Sequence, residues 1–214
     1  MKILLISVNR EKMPFPVFPL GLAYIAKALT EEGHSIDVMD LCFSQEVSVD
    51  LKSTLHRFQP DLIGISVRNL DNLTYPTSVS YLKEVEEVVG VCRQQGSSRL
   101  VIGGSGYSLA PKELLRHFDV DFGIVGEGEE IFLRLARDLE KGASLSPSPD
   151  LLIKGKPFPL LIEGARVFLS KILIVAFSKR IVIWKKEGWA IFRRSGAAPS
   201  PASTAPIHYS KGRR

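Results

Sequence analysis

The sequence predicts a doubly wound α/β domain with a five-stranded parallel sheet, flavodoxin-like or Rossmann-like, followed by a C-terminal tail that is not a domain. Three observations carry this. Apolar runs alternate five times with helix-length stretches. The clearest runs lack polar alternation, as strands buried on both faces do. The charge balance reverses near residue 143: residues 1–142 hold 15 Lys/Arg against 20 Asp/Glu, whereas residues 143–214 hold 13 against 3.

The first strand is KILLISV (2–8). A helix follows in GLAYIAKALTEEGH, with Leu22, Ile25, Ala26 and Leu29 at helical spacing and Gly33 as its stop. SIDVMD (35–40) is strand two, and VSVDLKSTLHRFQP is a helix ended before Pro60. DLIGISV (61–67) is strand three. A long helix is expected from about Pro76 to Gln95, burying Val85, Val88 and Val89. RLVIGG (99–104) is strand four, and PKELLRHF is a short helix opened by Pro111. VDFGIVG (120–126) is strand five. EGEEIFLRLARDLEKG is the last helix, with acidic residues where the helix dipole favours them. The order 2-1-3-4-5 follows, with ligands beyond the carboxyl ends of the strands. That places residues 8–21, 66–75, 103–110 and 126–129 around any site.

Several chemistries are excluded by what these turns contain. VNREKMPFPVFPLG (8–21) has no G-x-G for a pyrophosphate and no Ser/Thr/Gly-rich loop for a flavin phosphate. ISVRN (65–69) lacks the aspartate that phosphotransfer needs at the end of strand three. No Ser-His-Asp or Cys-His arrangement stands out, so no catalytic residue and no metal ligand is named. His34, His56 and His117 fall on helices or their ends and read as surface or half-buried histidines. Cys42 and Cys92 stand in no metal spacing and fit a reducing cytoplasm. The N-terminus reads as a strand rather than a signal peptide. What remains is glycine: IGGSG (102–106) and VGEGEE (125–130) offer backbone without Cβ, against which a flat, bulky ligand can lie.

FPLGLAYIAKAL (18–29), ISVRN, VIGGSG and FGIVGEGEE, in this order, resemble the cobalamin-binding domain at the front of B12-dependent radical SAM enzymes. The likeness covers about residues 1–142. It implies cobalamin as cofactor and partner, with Pro19, Leu20 and Gly21 near the corrin, as are Ser66, Val67, Arg68 and Asn69. It implies that Gly103, Gly104 and Ser105, and Gly126, Glu127, Gly128 and Glu129, flank the nucleotide tail or the corrin edge. The cobalt-ligating D-x-H-x-x-G of the mutase and methionine-synthase branch is missing from residues 8–21, so cobalamin is expected without a protein imidazole. The alternative is a stand-alone α/β module that uses these loops for another ligand or a partner.

Radical SAM enzymes carry three thiolates in C-x-x-x-C-x-x-C for an iron–sulfur cluster. This sequence has no such motif, so the 4Fe-4S cluster and S-adenosylmethionine are expected only in an intact relative. The tail nevertheless holds Ala198, Ala202 and Ala205 at that spacing. Alanine codons begin GC, and a frame moved one base upstream turns T-GC into cysteine. WAIFRRSGAAPSPASTAPIHYSKG (189–212) then admits GNIQTKRGCPFACIYCTYPLLEG, and PSPDLLI (147–153) admits Ile-Pro-Gly-Leu-Ala-Tyr. Residues 143–214 are therefore expected to be out of frame and poorly ordered, with no enzyme activity in the chain as written. KILIVAFSKRIVIW (171–184) is interrupted by Lys179 and Arg180, short of the about 20 apolar residues a bilayer span needs. The tail's basic residues are not interleaved with aromatics on a face, so neither membrane nor nucleic acid is expected as a partner.

Overall fold

Ile3, Leu4, Leu5 and Ile6 are all fully buried, and successive side chains enter opposite layers of core. That is the signature of a central strand covered on both faces. A computed structural model describes residues 1–72 and 79–159, together with the backbone of 175–177, 180–185 and 188–193. The chain divides into two compact units, Met1–Leu160 and Leu161–Arg214.

In the first unit the elements run β1 (Lys2–Ser7), α1 (Leu20–Glu31), β2 (Ser35–Asp40), α2 (Val47–Phe58), β3 (Leu62–Ser66), α3 (Leu82–Gln95), β4 (Arg99–Gly103), α4 (Pro111–His117), β5 (Phe122–Ile124), α5 (Glu129–Glu140) and β6 (Leu151–Ile153). The sheet order is β2-β1-β3-β4-β5-β6. The first five strands are parallel in the expected order, and β6 runs antiparallel to β5. One layer packs Leu29 of α1 and Phe132 and Leu135 of α5 on Ile3, Leu5 and Val101. The other packs Leu51 of α2, Val85 and Val88 of α3 and Leu114 of α4 on Leu4, Ile63 and Ile102. Each such aliphatic side chain taken out of water stabilises the fold by roughly 1.5–3 kcal/mol before conformational entropy is charged against it.

Two boundaries differ from the sequence reading. The sheet has a sixth strand, in a stretch assigned to the tail, so the folded unit runs past residue 142. Leu151, Leu152 and Ile153 are all buried there, and pairing with Ile124, Gly123 and Phe122 covers the edge that β5 would otherwise leave open. Helix α3 begins at Leu82 rather than near Pro76. Ahead of it Asp71 and Ser80 form an antiparallel bridge. The second unit contains an antiparallel sheet of β7 (Val175–Phe177), β8 (Arg180–Lys185) and β9 (Gly188–Arg193), in that order. Ala198, Ala202 and Ala205 lie outside the described residues. Among the described residues no helix is long and apolar enough to cross a membrane.

Candidate functional site

On the face of the sheet covered by α1 and α5, strand register stacks two tiers. The lower tier is Leu5, Gly64, Val101 and Phe122 across β1, β3, β4 and β5. A Cβ on Gly64 would stand 2.8 Å from both Leu5 Cδ2 and Phe132 Cε2, so the Phe132 ring closes the space there. The upper tier is Ser7, Ser66 and Gly103. Small side chains at the strand ends stop the apolar packing one residue short of the surface. A cavity of about 490 Å³ opens above them, between the sheet and the first turns of α1 and α5. Neither helix has a side-chain N-cap.

Most of the residues singled out from sequence come together here. Pro19, Leu20 and Gly21 form one wall, and Ser66 and Arg68 lie at the end of β3. Gly103, Gly104 and Ser105 end β4, and Gly126, Glu127, Gly128 and Glu129 close the far side. Val67 and Asn69 do not line this cavity. Alternation past β3 sends them the other way: Val67 is fully buried in the opposite core layer, and Asn69 borders a second hollow of about 780 Å³. Arg68 and Ser105 border both hollows. The cavity also takes Ser7, Asn9, Val17, Phe18, Ile25, Gly64, Ile124 and Phe132, which sequence reasoning passed over. Strand alternation from Ser66 back to Gly64, and from Leu5 to Ser7, was the signal that could have found the strand residues.

Hydrogen bonds fix the glycine loops. The Ser108 hydroxyl donates to the Gly104 carbonyl at 2.9 Å and accepts from the Gly126 amide at 3.0 Å, pinning the β4 loop to the β5 loop. Ser105 donates to the Arg68 carbonyl at 2.8 Å. Gly104 has φ +103°, and a Cβ on it would stand 2.6 Å from the Val67 carbonyl oxygen. Its glycine is thus required by the backbone of the loop itself, not only by a ligand. Gly21 differs: a Cβ there meets nothing within 4 Å. In the first loop, the Tyr81 hydroxyl donates to Glu11 Oε2 at 2.9 Å while the Met13 amide donates to Glu11 Oε1, also at 2.9 Å. The Met13 amide and the Tyr81 hydroxyl hold the Glu11 carboxyl below its usual range, whereas burial and the Glu11 contact push Tyr81 up to about 12.

His34, His56 and His117 lie away from the cavity. His34 follows α1 at the opposite end of the sheet and is buried, not surface or half-buried, with Nε2 unpartnered. His117 pairs with Glu86 at 2.7 Å. Both Cys42 and Cys92 are buried free thiols, and burial pushes Cys92 up to about 12.

The model of the B12-binding domain matches residues 6–136. The tryptophan 2-C-methyltransferase of Streptomyces laurentii is 29% identical over 156 residues, covering 70% of this chain and 26% of that protein. The structure of the radical S-adenosylmethionine methyltransferase TsrM from Kitasatospora setae with cobalamin and a [4Fe-4S] cluster bound superposes with a TM-score of 0.65 at 30% identity, over 72% of this chain and 27% of that one. The cobalamin-dependent S-adenosylmethionine radical enzyme OxsB, with aqua-cobalamin bound, shares the fold at 20% identity and a TM-score of 0.57. This chain thus spans about a quarter of the length of the first two relatives.

Proposed function

The chain belongs to the B12-binding domain family, and from that membership we propose that it holds cobalamin at the carboxyl ends of β1, β3, β4 and β5, with the nucleotide end in the cavity under α1 and α5. The observation that carries this is the upper tier of Ser7, Ser66 and Gly103, which keeps a slot open where a doubly wound core would ordinarily close. Open space at the missing Cβ of Gly21, and Pro19 and Leu20 beside it, supply a surface for the corrin edge. Arg68 and Ser105, bordering both hollows, stand where a ligand larger than one cavity passes from one to the other.

The residues present fit the group. The cavity is apolar below and lightly polar above, and the glycine loops around it are tied together by Ser108. Among the described residues no histidine lines it, and we propose that cobalamin is held without an imidazole from this chain. When bound, cobalamin supplies a cobalt centre that carries a methyl group. This chain's own part is to bind, orient and shield that group. The cluster and S-adenosylmethionine chemistry belongs to the relatives; Cys42 and Cys92 are the two cysteines of this sequence and are not in three-thiolate spacing. Equilibrium dialysis of the full chain against cobalamin tests the proposal. One cobalamin retained per folded chain is expected, and no retention contradicts it.

A further inference from the structure

We propose that Tyr81 and Glu11 are positioning residues for the ligand: their hydrogen bond fastens the loop after β1, which walls both hollows, in the form that receives cobalamin. This rests on the reading that the ligand spans the two hollows. The loop has few ties of its own. Pro14 and Pro16 offer no backbone donor. Among the described residues, no backbone–backbone hydrogen bond joins residues 10–17 to one another or to the rest of the chain. The hydrogen bonds that hold this stretch meet at Glu11. Its Oε2 accepts from the Tyr81 hydroxyl at 2.9 Å, its Oε1 from the Met13 amide at 2.9 Å, and its carbonyl from the Cys42 thiol at 3.9 Å. Tyr81 is itself anchored ahead of α3, where its amide donates to the Leu70 carbonyl at 2.9 Å.

Past this point the loop is apolar and turned to solvent: Met13 and Phe15 are each 77% exposed and Phe18 is 70% exposed. Val17 and Phe18 line the cavity under α1 and α5, whereas Met13 lines the second hollow together with Glu11 and Tyr81. One loop thus forms a wall of both. A carboxylate suits the junction, because two donors arrive on separate oxygens and each oxygen can only accept. Burial and the Glu11 contact push Tyr81 up to about 12, so the phenol stays a donor through the neutral range. A part-exposed tie of this kind adds little to a domain whose core lies elsewhere. Releasing it lets the wall leave its place, and affinity falls with the fraction of chains in which the wall is formed. One hydrogen bond to a charged group corresponds to at least about tenfold in that equilibrium.

The experiment has a ligand-free arm and a cobalamin arm, both on the full chain. Without ligand, trypsin cleavage after Lys12, followed by mass spectrometry, reads the loop directly, because proteolysis tracks the population of the open form. Tyr81→Phe should speed that cleavage by about tenfold while urea unfolding stays nearly unchanged. In equilibrium dialysis the same variant should bind cobalamin about tenfold more weakly than the unsubstituted chain. Glu11→Ala, a change within the loop itself, should do the same or more, and it serves if Tyr81→Phe fails to fold. Adding Tyr81→Phe to Glu11→Ala should change neither readout further. Cleavage after Lys12 unchanged in both variants overturns the proposal, as do effects of the two substitutions that simply add. Faster cleavage with unaltered cobalamin affinity also overturns it, because the loop is then no wall of the site, while cobalamin binding itself stands. Failure of the folded, unsubstituted chain to retain cobalamin overturns the underlying reading instead.

Discussion

Gly104 and Gly21 both lie on the cavity, and they are there for different reasons. At Gly104 a side chain collides with the Val67 carbonyl at 2.6 Å in a left-handed backbone. Gly104→Ala should therefore destabilise the domain by about 1–3 kcal/mol, on top of any effect on ligand. At Gly21 a side chain enters space that no atom of the chain occupies. Gly21→Leu should leave stability to urea unchanged or slightly raised, since glycine in a helix costs roughly 0.5–1 kcal/mol relative to alanine. The same substitution should lower cobalamin affinity at least tenfold. Parallel unfolding and dialysis of the two variants separates the roles; a Gly21→Leu chain that binds normally places the corrin elsewhere. At this scale the sequence showed where glycines cluster, but not which ones serve the backbone. That distinction depends on what each missing Cβ would touch, and Val67 is 37 positions from Gly104.

Between elements, His34 couples the end of α1 to the start of β2 and to the Met1 amino group, 3.4 Å from its Nδ1. Burial, then the Met1 charge and more weakly Arg137, lower its pKa, against an opposing pull from Glu140 and Glu32. In the folded chain His34 therefore binds fewer protons than in the unfolded chain, whose value is about 6.5. Stability is fully present above that value and is lost as pH falls toward the lowered folded value. Urea unfolding at successive pH values should show stability declining below about pH 6.5, and His34→Gln should flatten that part of the profile. An unchanged slope in the variant rules out His34 as the source. The strands were legible because double burial leaves unbroken apolar runs, and Pro111 marks the α4 start. The α3 start was not legible, since the Asp71–Ser80 bridge before it joins residues that no periodicity connects. Strand β6 was missed because three apolar residues after Pro-Ser-Pro-Asp carry no signal until β5 offers an edge.

For the whole molecule, the unit Met1–Leu160 accounts for the family match, the cavity and the glycine loops. The acidic front and basic remainder were legible as a change of composition; the position of the boundary was not, because β6 belongs to the sheet by pairing rather than by charge. We propose that the alanine spacing at Ala198, Ala202 and Ala205 records a shifted frame. The codons for Ala197, Pro201 and Thr204 should then all end in T; nucleotide sequencing that finds another base at any of them removes the cysteine reading at that position. The central claim concerns the front unit: cobalamin held in the cavity without an imidazole from the protein. The absorption spectrum of cobalamin bound to the full chain, compared with that of a variant with His34, His56, His117 and His208 all replaced by Gln, tests it most directly. The account predicts bound cobalamin with the same spectrum in both. A spectrum altered by the histidine substitutions, or no bound cobalamin in either folded chain, would contradict it.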